Sequence, residues 1–331
     1  MEPNIIGLGT IDERFKHDLL DLEVGGKGLW QKGKEGVKRI LTPLDKKVEF
    51  IIYEDKTLVY VKSEMGYPAI YPLQTATFEA PAEAVLMDLD GTSVQSENFW
   101  IGIIEQTMSR LLGNPKFSLE EADYLHVMGH SVSEHLQYCI QKYCPQKRVE
   151  DAQRYYYEIT HFEMAEIMAG RGRTNAFKPS PGFKEFITTI KQHKIKIGLV
   201  TSGLYEKAIP EIYAIFRELK LGNPLEWYDA IITAGQALRA GQTGTLGELS
   251  AKPHPWLYAE VARVGLQINP ARHHRVIGIE DSSAGIIAIR LAGFAAIGMT
   301  GGNIVKSGLR PLLYAHCNDL IETLPLILGK D

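Results

Sequence analysis

The sequence predicts an α/β protein built on a parallel sheet, and three observations carry that prediction. From residue 180 on, short apolar runs such as "IKIGLV", "RVIGI" and "FAAIGM" alternate with stretches of helical periodicity, the pattern of a parallel sheet covered on both faces. Several runs end abruptly in carboxylates or hydroxyls, and in such sheets ligands sit at the carboxyl ends of the strands. Residues from about 97 to 177 carry few β-branched runs and several helix-start signals, so they read as a helical insert in that alternation.

Residues 1–80 form an N-terminal extension whose role the sequence does not state. It holds a candidate amphipathic segment with Ile11, Phe15 and Leu19, a Gly-rich "VGGKG", and then "KVEFIIY" and "TLVYVKS" separated by "EDK", which read as a β-hairpin. The prolines of "GYPAIYPL" suit an edge strand. The apolar run "AVLM" opens the core, assigned to 81–96 and 178–331, and the insert, 97–177, separates its two parts. Within the insert, "SLEE" at Ser118 and "SVSE" at Ser131 fit the capping box, and "RVEDAQRYYYEITHFEMAEIMA" is long enough for about five turns. Ser180 and Pro181 are expected to cap and open the next helix, whose apolar face is Phe183, Phe186, Ile187 and Ile190.

Composition narrows the class. The chain has 331 residues, 45% hydrophobic and 23% charged, with net charge −4 and no long run of Lys and Arg. Nucleic acid and anionic membrane are therefore not expected partners. Three scattered cysteines do not make a disulfide framework, and no window approaches the ~20 apolar residues of a bilayer span. The expected location is the cytoplasm; oligomeric state cannot be read.

The chemistry gathers at strand ends. "AVLM" runs into Asp88, Leu89, Asp90, Gly91 and Thr92; "IGLV" runs into Thr201, Ser202 and Gly203; "VIGI" runs into Glu280, Asp281 and Ser282; and Lys252 precedes a proline-opened helix in "AKPHPWLY". Two carboxylates one residue apart, with further acids from another strand, repel unless a cation joins them. Oxygen-only donors favour Mg²⁺ over zinc. With a lysine and Gly-flanked amides, such a site suits a phosphoryl group.

In that order, "DLDGT", "VTSG", "AKPHP" and "GIEDSSAG" resemble the four motifs of the haloacid dehalogenase superfamily, and the insert resembles its C1-type cap. "KPxP" with "GIEDSxxG" is most similar to the β-phosphoglucomutase-like branch. The resemblance covers about residues 82–327 and leaves the extension out. It implies a Rossmann-like core and a Mg²⁺-dependent phosphatase acting on a small phosphorylated metabolite, a sugar phosphate by family prevalence. Asp88 would be the nucleophile that becomes an aspartyl-phosphate, and Asp90 the general acid and base. Thr201 would bond a transferring oxygen, with amides around Leu89, Ser202 and Gly203 completing the cradle. Lys252 would offset charge, and Asp88, Asp281, Glu280 and the Asp90 carbonyl would face the metal. His130, in "MGHSVSEHL", is a candidate substrate contact from the cap.

Rival readings differ at named positions. In sugar phosphomutases of that branch an Arg follows the cap glycine and an Asn follows the second motif; the matching positions here are Val132 and Tyr205, which favours hydrolysis. Dehalogenation is disfavoured because those relatives lack the second Asp, and Asp90 is present. A third reading makes the extension the working part, as a binding or dimerisation module. His254 reads as a helix-start residue, Tyr155, Tyr156 and Tyr157 as cap packing, and Cys139 and Cys144 as too poorly aligned for a metal. The Gly-rich "ITAGQALRAGQTGTLGELSAKP" reads as a mobile loop near the site, with Arg239 expected to touch substrate or cap.

Overall fold

The computed structural model describes residues 4–66, 68–173, 175–234 and 251–329. Arg239 and most of the Gly-rich loop lie outside them. The core sheet has six parallel strands: β6 (Ala84–Asp88), β7 (Lys196–Leu204), β8 (Ala230–Ala234), β9 (Val276–Glu280), β10 (Ala295–Met299) and β11 (Ala315–Cys317), in the order β8-β7-β6-β9-β10-β11. β6 is wholly buried, and the strand order reverses on either side of it. That reversal opens a crevice at its carboxyl end.

Side chains alternate across the sheet as strand geometry requires. Val85, Met87, Ile197, Leu199, Ile277 and Ile279 share one core with the helices α5 (Phe183–Gln192), α6 (Tyr205–Leu219) and α9 (Leu320–Leu328). Ala84, Leu86, Val200 and Val276 point the other way, toward α7 (Trp256–Glu260) and α8 (Ser283–Leu291). The insert supplies α1 (Glu97–Leu112), α2 (Tyr124–Val127), α3 (Val132–Tyr143) and α4 (Val149–Met168). Their apolar faces, including Ile103, Leu136 and Tyr156, join the first of these cores.

The extension is a five-stranded antiparallel sheet, β1 (Leu19–Asp21), β2 (Arg39–Pro43), β3 (Val48–Ile52), β4 (Thr57–Val61) and β5 (Ala69–Pro72), in sequence order. The expected hairpin is its centre and "AIYP" its edge. Only a short 3-10 turn, Glu13–Asp18, forms in the expected amphipathic segment, since Leu19 already pairs with Pro43. The sheet's two faces are both apolar. Leu41, Phe50 and Val59 join the α8 side of the main core, whereas Ile40, Ile51 and Tyr60 form a small second cluster with Trp30. Layered between two sheets, α8 is buried on every side from Ser283 to Arg290. Arg290, whose pKa burial lowers to about 10, donates to the Gly7 carbonyl at 2.6 Å.

Three local expectations are corrected. The turn at Ser118 is capped by Glu120, whose carboxylate pairs with the Asp123 backbone while Asp123 returns the bond. Ser131 does cap α3, accepting from Glu134 N–H at 3.3 Å, but the Glu134 carboxylate turns outward to the extension instead of closing the box. α5 starts after Gly182, in the left-handed region at φ +77°, because Lys178–Pro179 pairs as a short strand with Val94–Gln95 and delays the helix.

Candidate active site

Asp88 ends β6, and the chain turns at once: Gly91 lies at φ +82°, and a Cβ there would come within 1.9 Å of Glu97 Oε1 and 2.2 Å of Asp281 Oδ2. Only glycine fits such a turn. Ser93 Oγ holds it by donating to the Asp88 carbonyl at 2.6 Å, and Gly91 N–H donates to the Val94 carbonyl at 2.7 Å. Asp90 accepts from Ser96 Oγ and, at 3.4 Å, from Thr201 Oγ1. The turn thus brings both carboxylates into one cavity, lined also by Thr201, Ser202, Gly203, Lys252 and Asp281.

Lys252 is buried and forms ion pairs with both Asp88 and, at 2.7 Å, Glu280. Glu280, ending β9, is held on both oxygens. Oε2 also accepts from Tyr258 OH at 2.7 Å, and Oε1 accepts from Ser282 Oγ at 2.9 Å and from the N–H groups of Asp281 and Ser282 at 3.2 and 3.1 Å. Its geometry is that of an anchor for Lys252. Asp281 accepts from Thr92 Oγ1 at 3.4 Å.

Charge is out of balance here. Asp88, Glu280 and Asp281 offer oxygens within 4.8 Å of one another, and the Lys252 ammonium pairs with two of the three, Asp88 and Glu280. Burial first, then Glu280, pushes the Asp88 carboxyl well above the usual carboxylate range; burial, then Glu97 and Glu280, does the same to Asp281. Burial lifts Glu97, in the first turn of α1, to about 7. The Lys252 ammonium is held well above its ordinary value: burial opposes its charge, but Asp88 and Glu280 outweigh it. The donor set is all oxygen and short of positive charge, and it fits a hard divalent cation with Asp88 and Asp281 as the available carboxylates.

Some assignments move. Gly203 N–H donates to Thr201 Oγ1 at 2.9 Å, so that amide is already engaged, and Ser202 Oγ accepts the Lys252 N–H at 3.1 Å. The Leu89 side chain is fully buried in the core, with its carbonyl accepting from Ser93 and Val94. His254 bonds Tyr71 OH through Nδ1 at 2.7 Å, an extension contact rather than a cavity one. Tyr156 packs in the cap core, and Tyr205 is exposed.

The cap roofs the cavity with Trp100, Met128, Gly129, His130, Val132 and His135. Gly129, at φ +74°, passes so close to the core that a Cβ would stand 2.5 Å from Ser282 Oγ. The cavity encloses about 80 Å³ and shares Glu97, Ile101 and Met128 with an outer groove of about 820 Å³ between cap and core. Sequence reading did not single out Trp100, His135, Lys207 or Glu97. The signal for the last two was position, since each lies in the first turn of a helix that starts beside the site.

Comparison with known proteins agrees with this geometry. Residues 85–226 match the family model for haloacid dehalogenase-like hydrolases. The match takes in β6, β7 and the whole helical insert, and it makes this chain similar to haloacid dehalogenase-like hydrolases. Among solved structures, the protein is similar to CbbY from Rhodobacter sphaeroides, crystallised with phosphate, at 20% identity and TM-score 0.52, covering 73% of this chain and 96% of that one. A protein described as a phosphoglycolate phosphatase, from Haemophilus somnus, aligns at 17% identity and TM-score 0.56, over 75% of this chain and 98% of its own. A phosphonoacetaldehyde hydrolase-like protein from Oleispira antarctica gives 16% and 0.56, over 77% and 95%. No curated protein matches the chain by sequence.

Proposed function

We propose that this protein is a Mg²⁺-dependent phosphatase of small phosphomonoesters, working through an aspartyl-phosphate on Asp88. The observation that supports it most is the pairing of Asp88 and Asp90 in one cavity, with Lys252 on the first and not the second. An Asp88 oxygen attacks phosphorus in line with the leaving oxygen, which takes a proton from Asp90. Water then attacks the same phosphorus and gives its proton to Asp90, releasing phosphate and restoring Asp88. Lys252 orients the nucleophile and offsets phosphoryl charge, and Glu280 holds Lys252 in place. Mg²⁺, when bound by Asp88, Asp281 and the Asp90 carbonyl, would supply further charge neutralisation.

The mutase alternative finds no support at the two positions that separate it. Val132 puts an apolar side chain on the cavity wall, and Tyr205 faces solvent. The phosphatase reading is tested by phosphate release from a panel including p-nitrophenyl phosphate, β-glucose 1-phosphate and hexose 6-phosphates. Release is expected with Mg²⁺, and is expected to vanish with EDTA and in Asp88→Asn. Conversion of β-glucose 1-phosphate to the 6-phosphate without release would establish the mutase instead.

A further inference from the structure

Two lysines enter the cavity, and only one has its carboxylate. Lys252 is in contact with Asp88 and Glu280. Lys207, in the first turn of α6, instead rests its Nζ 3.5 Å from the centre of the Trp100 ring, and no carboxylate among the described residues is within ion-pair distance of it. Trp100 is fixed for this contact because its indole N–H donates to the buried Glu211 at 3.0 Å. Burial opposes the charge of Lys207, but the Tyr156 phenol and the carboxyl groups of Asp90 and Glu211 outweigh it and hold its pKa above the usual lysine value. It therefore stays an ammonium.

Its position has a direction in the reaction. Asp88 feels Glu280, Lys252 and Asp90, whereas the carboxylates near Lys207 are Asp90 and Glu211. Lys252 thus serves the nucleophile side and Lys207 the side of Asp90, where the leaving oxygen must lie to receive its proton. Two cap histidines, His130 and His135, line the same cavity with buried Nε2 atoms that have no partner among the described residues. Burial keeps both neutral, His130 with its pKa well below the ordinary value and His135 with its pKa lowered to about 3. A half-buried ammonium resting on an aromatic face, beside two buried imidazole nitrogens left open among the described residues, offers a ligand three polar partners. The cavity itself holds about 80 Å³, so the part of the ligand that reaches Lys207 is compact.

Resting on the phosphatase reading, we propose that Lys207, with His130 and His135, receives a second anionic group carried by the leaving alcohol. The preferred substrate is then a short phosphomonoester bearing a carboxylate or a second phosphate. The test compares kcat/KM for 2-phosphoglycolate, ethylene glycol bisphosphate and 2-hydroxyethyl phosphate, a control without the second anionic group, in the wild type and in Lys207→Met. The expected result is a preference of about tenfold or more for at least one ester with a second anionic group over the control, which Lys207→Met reduces to near unity. The better of the two names carboxylate or phosphate. A wild-type ratio near unity, or one that Lys207→Met leaves intact, overturns the proposal while the phosphatase stands; release from none of the esters, p-nitrophenyl phosphate included, overturns both. The wild-type ratio needs no variant, so poor folding of Lys207→Met does not shield the proposal.

Discussion

At the residue scale, burial decides what each ionisable group can do. His135 is packed against Tyr156 with ring centres 5.6 Å apart, and burial lowers its pKa from 6.5 to about 3. The unfolded chain therefore binds a proton as pH falls below 6.5, and the folded chain does not until near 3, so folding stability falls through that window. One such group contributes a slope of about 1.4 kcal/mol per pH unit. His135→Phe is expected to flatten the loss of stability between about pH 6 and 4 by roughly one proton. Urea titrations at several pH values read this directly, and an unchanged slope would mean that His135 is solvated. Asp88, Asp90 and Asp281 were legible in sequence because each sits where a strand pattern stops, and Lys252 because it stands directly before the prolines that open a helix. Lys207 and His135 were not, since periodicity places them on helices without saying which face meets a cavity closed from two sides.

At the scale of elements, the informative piece is the turn between α2 and α3. Met128 and His130 line the cavity, Gly129 presses on Ser282, and Ser131 caps α3 directly after them. Gly129→Ala adds a methyl where 2.5 Å is free and asks an L residue to hold φ +74°. The turn is expected to lift from the core and misplace His130, lowering kcat/KM on the order of 10- to 100-fold with only a small change in melting temperature. Activity retained in Gly129→Ala would show that the turn does not help to shape the site. The sequence displayed this turn as a cap signal at Ser131, but not that Glu134 would leave its box. Its carboxylate is taken by Ser63 Oγ and, at 2.7 Å, Glu64 N–H, partners about 70 residues away that no local pattern contains.

At the scale of the whole molecule, the extension is a structural layer of the enzyme. Leu41, Phe50 and Val59 share a core with α8, Asp18 pairs with Arg310 at 2.6 Å, and the loop after β4 holds α3 of the cap through Glu134. Removing residues 1–78 would uncover that apolar face of the core. The truncated chain is expected to aggregate or to lose cooperative unfolding, which thermal denaturation followed by circular dichroism would detect. A soluble, cooperatively folding truncation with full turnover would return the extension to the rank of an independent module. The hairpin in it was readable from alternation, but its second apolar face, Ile40, Ile51 and Tyr60, gave no sign of which side would meet the core.

Every layer converges on one carboxylate, the last residue of the central strand. The most direct test is rapid acid quenching of the protein during turnover of a phosphomonoester with Mg²⁺, followed by peptide mass spectrometry. The account predicts a phosphoryl group on the peptide containing Asp88, at Asp88 itself, and none in Asp88→Asn. Steady phosphate release with Asp88 never modified, or release surviving in Asp88→Asn, would contradict it.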